Sequence, residues 1–391
     1  MNQLNNTDFF ESRLYSMDID IKSIREKLLH ELKTEFAQNL HHYSTEADLT
    51  GVINYLENPT IHYSEGRDLS FDKQSFSVTE LKNVMKLPTF KERIQYLVYR
   101  YRFNNYPRNQ LTSEFPIVLC IEPTSICNLR CTMCFQSDST FSGDKSLQGH
   151  MSFELFKKII DEGAKHNLAS IVLASRGEPL LNKDIYRMIS YAKKNGVLDI
   201  KLNTNATVLT ANNARKLLES GLDTLVFSVD SAIPEEYERI RLGAKFEKVV
   251  ENIRRFNKIH QEEYPEVSLR TRTSMVVVDE DQDIEYAKEF WSGLVDEFAY
   301  RKVIDRLNIY EGIDISTERP CSLLWERLYI WFDGTTSICD EDYKSILAPG
   351  KFEGNTSISE IWKGKRYQQL RQMHIKQEKC RLHPCDKCPG F

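Results

Sequence analysis

Three cysteines, Cys127, Cys131 and Cys134, stand in a C-x3-C-x2-C spacing inside the stretch Glu122–Phe135. Thiolates this close along the chain can converge on one metal centre, yet a cubane iron–sulfur cluster or a structural zinc site closes on four ligands. A set that stops at three leaves one metal position open, and an open position is where a small ligand binds. A zinc knuckle borrowing a histidine is the plainer alternative. A second group lies further on: Cys321, Cys339, Cys385 and Cys388, spaced C-x17-C-x45-C-x2-C, with Cys380 as an extra thiol. Four ligands close a site, so this centre is expected to carry no exchangeable position. A zinc ribbon is its alternative, since C-x2-C pairs often hold zinc.

The bulk of the chain limits what these centres serve. At 391 residues it can bury a large core and is expected to form two or three domains. A formal net charge of -5 gives no general attraction to nucleic acid or to an anionic lipid surface. No apolar run approaches the roughly 18 residues of a membrane span. The start is polar and acidic, without the basic and apolar segments of a signal peptide. The expected place is the cytoplasm, where cysteines serve more often as ligands than as disulfides.

Three regions are expected to position the thiols. Residues 1–112 read as helical and of unknown role. Ile21, Ile24, Leu28, Leu32 and Phe36 recur at helical steps and predict a helix over 18–43, with further helices over Val78–Met85 and Lys91–Phe103. In the last of these, Tyr99 to Arg102 interleave rings and charges, the pattern of rings on a core with charges in water. Residues 113–303 alternate strand, loop and helix. Strands are expected at Ile117–Glu122, Ser170–Ala174, Asp199–Asn203, Thr224–Val229, Val267–Val277 and Asp296–Tyr300. Such alternation predicts a parallel sheet, open or barrel-like. In a barrel the chemistry sits at the C-terminal strand ends. The cysteine loop, Glu178, Asn203 with Asn205, and Ser228 with Asp230 each follow or end a strand, so all point to one rim. Residues 304–391 read as a small α+β unit, with a hairpin turning at Asp333-Gly334 and a helix from Ser359 to about Met373.

The cysteine spacing, with Ser-Arg-Gly-Glu-Pro at 175–179, Leu-Asn-Thr-Asn-Ala at 202–206 and Phe-Ser-Val-Asp-Ser at 227–231, resembles the radical S-adenosylmethionine (SAM) enzymes. The resemblance implies a partial (β/α)6 TIM-like barrel. It implies that Cys127, Cys131 and Cys134 hold a [4Fe-4S] cluster whose fourth iron binds SAM. Met133 would then lie against adenine, Gly177 and Glu178 would meet the SAM amine, and Asn205 and Ser228 would contact the rest of the cofactor. Arg176 stands where the family has glycine, and its side chain is expected to reach towards substrate. Arg270 and Arg272 share one strand face and are candidates for the SAM carboxylate, with a salt bridge inside the barrel as the alternative. The C-terminal cysteines resemble the SPASM extension and its one-cluster twitch form. That implies one auxiliary [4Fe-4S] cluster on Cys321, Cys339, Cys385 and Cys388.

The chemistry so implied begins with a 5'-deoxyadenosyl radical that takes hydrogen from an unactivated C–H bond. With a second cluster to accept an electron, the outcome is a two-electron oxidation of a small hydroxylated substrate, a sugar or an aminocyclitol. The implied reductant is a flavodoxin or ferredoxin, and neither nucleic acid nor membrane is an expected partner. Arg301 and Arg306 are candidates for orienting or deprotonating the hydroxyl. The rival is an epimerase in which Cys380 or Cys120 returns a hydrogen atom. A peptide-modifying enzyme and an iron–sulfur redox or sensor protein are further alternatives; the sensor would have no use for Glu178, Asn205 and Ser228.

Overall fold

Short runs of leucine, isoleucine and valine, each followed by a polar loop and an amphipathic helix, make the sheet of this protein. Its computed structural model describes residues 9–12, 20–36, 44–60, 74–303, 309–313, 319–353 and 356–388. The strands are β1 Phe9–Ser12, β2 Val118–Ile121, β3 Ser170–Leu173, β4 Asp199–Thr204, β5 Thr224–Ser228, β6 Arg270–Val277, β7 Glu297–Lys302, β8 Arg327–Ile330 and β9 Thr336–Ser337. They form one sheet in the order β1-β7-β6-β5-β4-β3-β2-β8-β9. From β2 to β7 each strand lies parallel beside its predecessor. Four helices, α1 Ile21–Phe36, α2 Glu46–Glu57, α3 Val78–Met85 and α4 Phe90–Asn109, come before β2. Between strands lie α5 Ser139–Ser142 and α6 Phe153–Lys165, then α7 Ile185–Lys194, α8 Ala211–Glu219, α9 Pro234–Ile240 with α10 Phe246–Glu263, and α11 Ile284–Ser292. This is the partial (β/α)6 barrel. Among the described residues no helix is long and apolar enough to cross a membrane.

Strand alternation separates core from site. On β4, Ile200 and Leu202 are fully buried in the main core, which also takes the apolar faces of α6, α7, α8 and α10. Lys201 and Asn203 occupy the opposite face, as side chains two apart must. On β6 the residues of that second face are Arg270, Arg272, Ser274 and Val276. The helices are fixed at their starts by caps: Ser152 accepts from the Leu155 N–H at the head of α6, and Ser77 with Glu80 and Thr89 with Glu92 form capping boxes on α3 and α4.

The N-terminal helices close the other mouth of the barrel. Leu28, Leu49, Val52, Leu81 and Leu97 form a second core with Val118, Cys120, Ala169, Leu198 and Trp331. Gln95 of α4 donates to Asn167 O and Gly196 O, at the turns that enter β3 and β4, and Tyr99 OH lies 3.2 Å from Asp199 Oδ2. The rings of α4 thus rest on protein, as expected, but its charges do not all stand in water: Arg100 is buried and pairs with Glu80 at 2.6 Å. Where described, the predicted 18–43 helix runs over Ile21–Phe36, and residues 18, 19 and 37–43 lie outside the described residues. Neither α2 nor the antiparallel edge pairing of β1 with β7 was expected.

The C-terminal region is joined to the barrel through its sheet. After α12 Leu323–Glu326, β8 pairs in parallel with β2, Val118 opposite Arg327 to Ile121 opposite Ile330. The hairpin to β9 turns where expected, with Gly334 at φ +88. The predicted single C-terminal helix is two, α13 Ile358–Lys363 and α14 Lys365–Ile375, broken at Gly364. An extended φ,ψ at Gly364 ends the first ladder and starts the second.

Candidate functional site: two thiol clusters, one rim cavity

The loop after β2 carries its three cysteines to the C-terminal end of the barrel. There a cavity of about 200 Å3 opens, lined by Cys127, Cys131, Cys134 and Met133, by Gly177 and Glu178 after β3, by Asn203 and Asn205 at the end of β4, and by Ser228 of β5 and Arg301 of β7. These ten residues were all singled out in the sequence, and Arg176 lines the same cavity. Cys127 and Cys134 accept from backbone N–H groups of Leu129 and Gln136, each at 3.5 Å. Asn205 Nδ2 and Arg241 Nη1 approach Cys127 and Cys131 at 3.9 Å. Burial pushes the Cys127 thiol up to about 11 and raises Cys131 as well, so these sulfurs need a cation to ionise them.

Gly177 is required by contact. A Cβ there would lie 2.3 Å from Thr124 O and 2.6 Å from Ile126 O, and the next N–H, of Glu178, donates to Ile126 O at 3.0 Å. The glycine thus presses the Gly-Glu-Pro turn onto the cysteine loop, and Ser175, two residues before it, holds a left-handed φ of 108. Arg176 does not point at the cavity with its guanidinium. It is 2% exposed and gripped by Glu122, Nε to Oε2 at 2.6 Å and Nη2 to Oε1 at 2.7 Å, while Nη1 donates to Tyr343 O at 2.9 Å. Its charge lies over the Trp331 ring at 4.2 Å. The expectation that it reaches substrate is corrected: the side chain ties the rim to the C-terminal region.

The Glu178 carboxylate is also turned into protein. It accepts from Leu180 N, Thr204 Oγ1 and Asn205 N at 3.1, 2.7 and 2.7 Å. Burial still pushes its carboxyl above the usual range, against those bonds. Its visible work is to lock the end of β4 to the turn after β3. Sequence reasoning missed Gln136, Arg241 and the partner of Asp230. Asp230 accepts from Val276 N at 2.8 Å and pairs with Arg241 Nε at 2.7 Å, which places a guanidinium beside the Cys131 sulfur. The signal available was α9, with proline at its first position and Glu235 and Glu236 in its first turn.

The remaining arginines separate. Arg301 reaches the cavity. Arg270 lies at the N-terminal end of β6, away from the rim, donating to Thr224 Oγ1 and pairing with Glu297 at 3.5 Å. This is the salt-bridge alternative, and it removes Arg270 from the SAM carboxylate. Arg272, next on the same face, does not line the cavity either. Arg306 lies outside the described residues.

Cys321, Cys339, Cys385 and Cys388 line a second cavity with His374, Lys379 and Asp342. Burial raises the Cys339 and Cys385 thiols, and Cys339 accepts from Asp342 N at 3.4 Å. None of the nine cysteines forms a disulfide. Among the described residues no three His, Cys, Asp or Glu side chains gather as one metal ion would require. Cys380 is exposed and not part of this lining, and Cys120 is buried on β2, away from the rim cavity, with Arg327 Nη1 at 3.7 Å.

A six-stranded parallel barrel with three thiols on a rim cavity defines a protein built for a cluster with one open position. Residues 121–290 match the family model described as the radical SAM superfamily, and residues 321–389 that of SPASM, an iron-sulfur cluster-binding domain. The chain therefore carries a radical SAM domain and a SPASM domain, and its cofactors are [4Fe-4S] clusters and SAM. Among curated relatives it is 35% identical over 126 residues to a tungsten-containing aldehyde ferredoxin oxidoreductase cofactor-modifying protein of Pyrococcus furiosus, covering 32% of this chain and 33% of that one. A probable GTP 3',8-cyclase of Methanococcus maripaludis is 34% identical over 130 residues, 33% of this chain and 42% of that one. The matches therefore span well under half of these relatives. Two solved structures share the fold at a TM-score of 0.50: BtrN in complex with AdoMet and 2-DOIA, 18% identical over 72% of this chain and 95% of that one, and native anSMEcpe with bound AdoMet, 16% identical over 70% and 88%.

Proposed function

We propose that this chain is a radical SAM oxidoreductase that takes two electrons from a small hydroxylated substrate, a sugar or an aminocyclitol. Cys127, Cys131 and Cys134 are the ligands of the SAM-binding cluster in this reading, and Cys321, Cys339, Cys385 and Cys388 those of one auxiliary cluster. When bound, the barrel cluster and SAM supply the one-electron chemistry that removes a hydrogen atom from an unreactive C–H bond. The observation that carries the reading is the four-thiol cavity: a shell of four leaves no position for substrate or SAM, which suits a centre that takes an electron. The substrate then gives up one hydrogen atom, one electron and one proton.

The wall residues have matching tasks. Met133 and Ser228 border the SAM space. Gly177 brings backbone close to it, while Glu178 holds Asn205 in place. Arg301 donates to the substrate hydroxyl and orients it. The reductant is an acidic electron carrier such as flavodoxin or ferredoxin. An epimerase needs a thiol at the substrate, and neither Cys120 nor Cys380 lines the rim cavity. The test is anaerobic incubation of the reconstituted protein with SAM, a reductant and a panel of aminocyclitols, sugars and peptides. One 5'-deoxyadenosine per ketone formed supports the proposal. Deuterium from solvent in the product means epimerisation, and turnover of peptides alone means a peptide modifier; either outcome overturns it.

A further inference from the structure

His374, on the last turn of α14, is 1% exposed and forms part of the wall around Cys321, Cys339, Cys385 and Cys388. Its Nδ1 accepts the backbone N–H of Cys321 at 3.2 Å. A ring nitrogen that accepts carries no proton, so in the neutral imidazole the proton sits on Nε2. That Nε2 has no hydrogen-bond partner among the described residues. A buried N–H without an acceptor is unfavourable by about 1–3 kcal/mol. The ring is therefore held with a donor in a chamber lined by the four cysteines together with Glu341, Asp342 and Lys379.

We propose that His374 donates a hydrogen bond from Nε2–H to a sulfur of the auxiliary cluster and raises that cluster's reduction potential. The reduced cluster carries one more negative charge than the oxidised one, and a donor aimed at its sulfurs favours the reduced form. A protonated Nε2 has no lone pair for iron, so the residue is a positioning and tuning group outside the ligand shell. Its second contact, to the Cys321 N–H, fixes the ring plane and with it the direction of the donor. An acceptor tuned upwards is what a cluster receiving an electron from a substrate radical requires. This inference rests on the four-thiol assignment made above.

The experiment is a redox titration, followed by electron paramagnetic resonance, of the anaerobically reconstituted full chain saturated with SAM, with iron counted on the same samples. His374→Phe should hold its iron and show a lower auxiliary midpoint potential, and His374→Gln, which keeps an acceptor and a donor, should return most of the difference. An unchanged midpoint in His374→Phe overturns the inference. Should that variant fail to fold, wild-type protein with 15N-labelled histidine decides by pulsed resonance on the reduced cluster. A weak nitrogen coupling with an exchangeable proton supports the bond; a strong coupling means iron ligation and no coupling means no contact, and both overturn it. A wild type with four irons instead of about eight would instead sink the auxiliary-cluster assignment itself.

Discussion

At the scale of single residues, the rim is held by contacts that a change of one atom group disturbs. Gly177→Ala puts a methyl 2.3 Å from Thr124 O, and backbone on both sides leaves it nowhere to go. The cysteine loop must shift, and a displacement of about 1 Å at a reacting centre lowers rates by about a hundredfold. SAM cleavage in Gly177→Ala, measured as 5'-deoxyadenosine release, should fall by that order while circular dichroism stays native. Arg176 is a different case. Its pair with Glu122 is almost wholly buried, at 2% and 0% side-chain exposure. Arg176→Met leaves an unpaired carboxylate and should cost about 3–5 kcal/mol in anaerobic denaturant unfolding. Adding Glu122→Gln should recover a large part, because the stranded charge goes with it.

At the scale of strands and helices, much was legible, and the reasons are physical. All six parallel strands lie where predicted, some as continuous apolar runs such as Ser170–Leu173 and others, β4 and β6, as alternating ones with one buried face. Rim residues at their ends followed from the barrel rule. What sequence did not reveal was which way long side chains turn. Arg176 and Arg270 carry the same charge as Arg301, yet their guanidinium groups are claimed by Glu122 and Glu297, both distant in sequence, while Arg301 lines the cavity. Strand β8 was read as part of a separate unit because its pairing with β2 spans some two hundred residues. Lys201, on the inner face of β4, gives an element-scale test. Burial, with Arg272 and Arg327 nearby, lowers its ammonium to about 8 from an ordinary 10.5. The folded state then binds fewer protons than the unfolded one between those values, so stability rises with pH across that window. The penalty is fully present below pH 8. Lys201→Met should therefore stabilise the protein at pH 7 by about 1–3 kcal/mol, and the advantage should vanish above pH 10.5.

At the scale of the whole molecule, the two thiol sets are bound into one sheet yet should be separable in function. The hydrogen bonds of β8 to β2, the Arg176 bridge to Tyr343 O and the Glu122 contact to Phe332 N hold the C-terminal region on the barrel without using either set of sulfurs. Losing the auxiliary centre should therefore leave the rim standing. Anaerobically reconstituted wild type should carry about eight irons per chain, as two [4Fe-4S] clusters. Cys339→Ala opens the four-thiol shell and should reduce the count to about four, with the SAM-dependent shift of the barrel cluster's resonance signal preserved. SAM should still be cleaved, but without the oxidised product, because the electron left on the substrate has no acceptor. Cys127→Ala should do the reverse, keeping about four irons at the C-terminal site and releasing no 5'-deoxyadenosine. If Cys339→Ala instead turns over substrate at the wild-type rate, the auxiliary centre is structural, and the two-electron oxidation loses its acceptor.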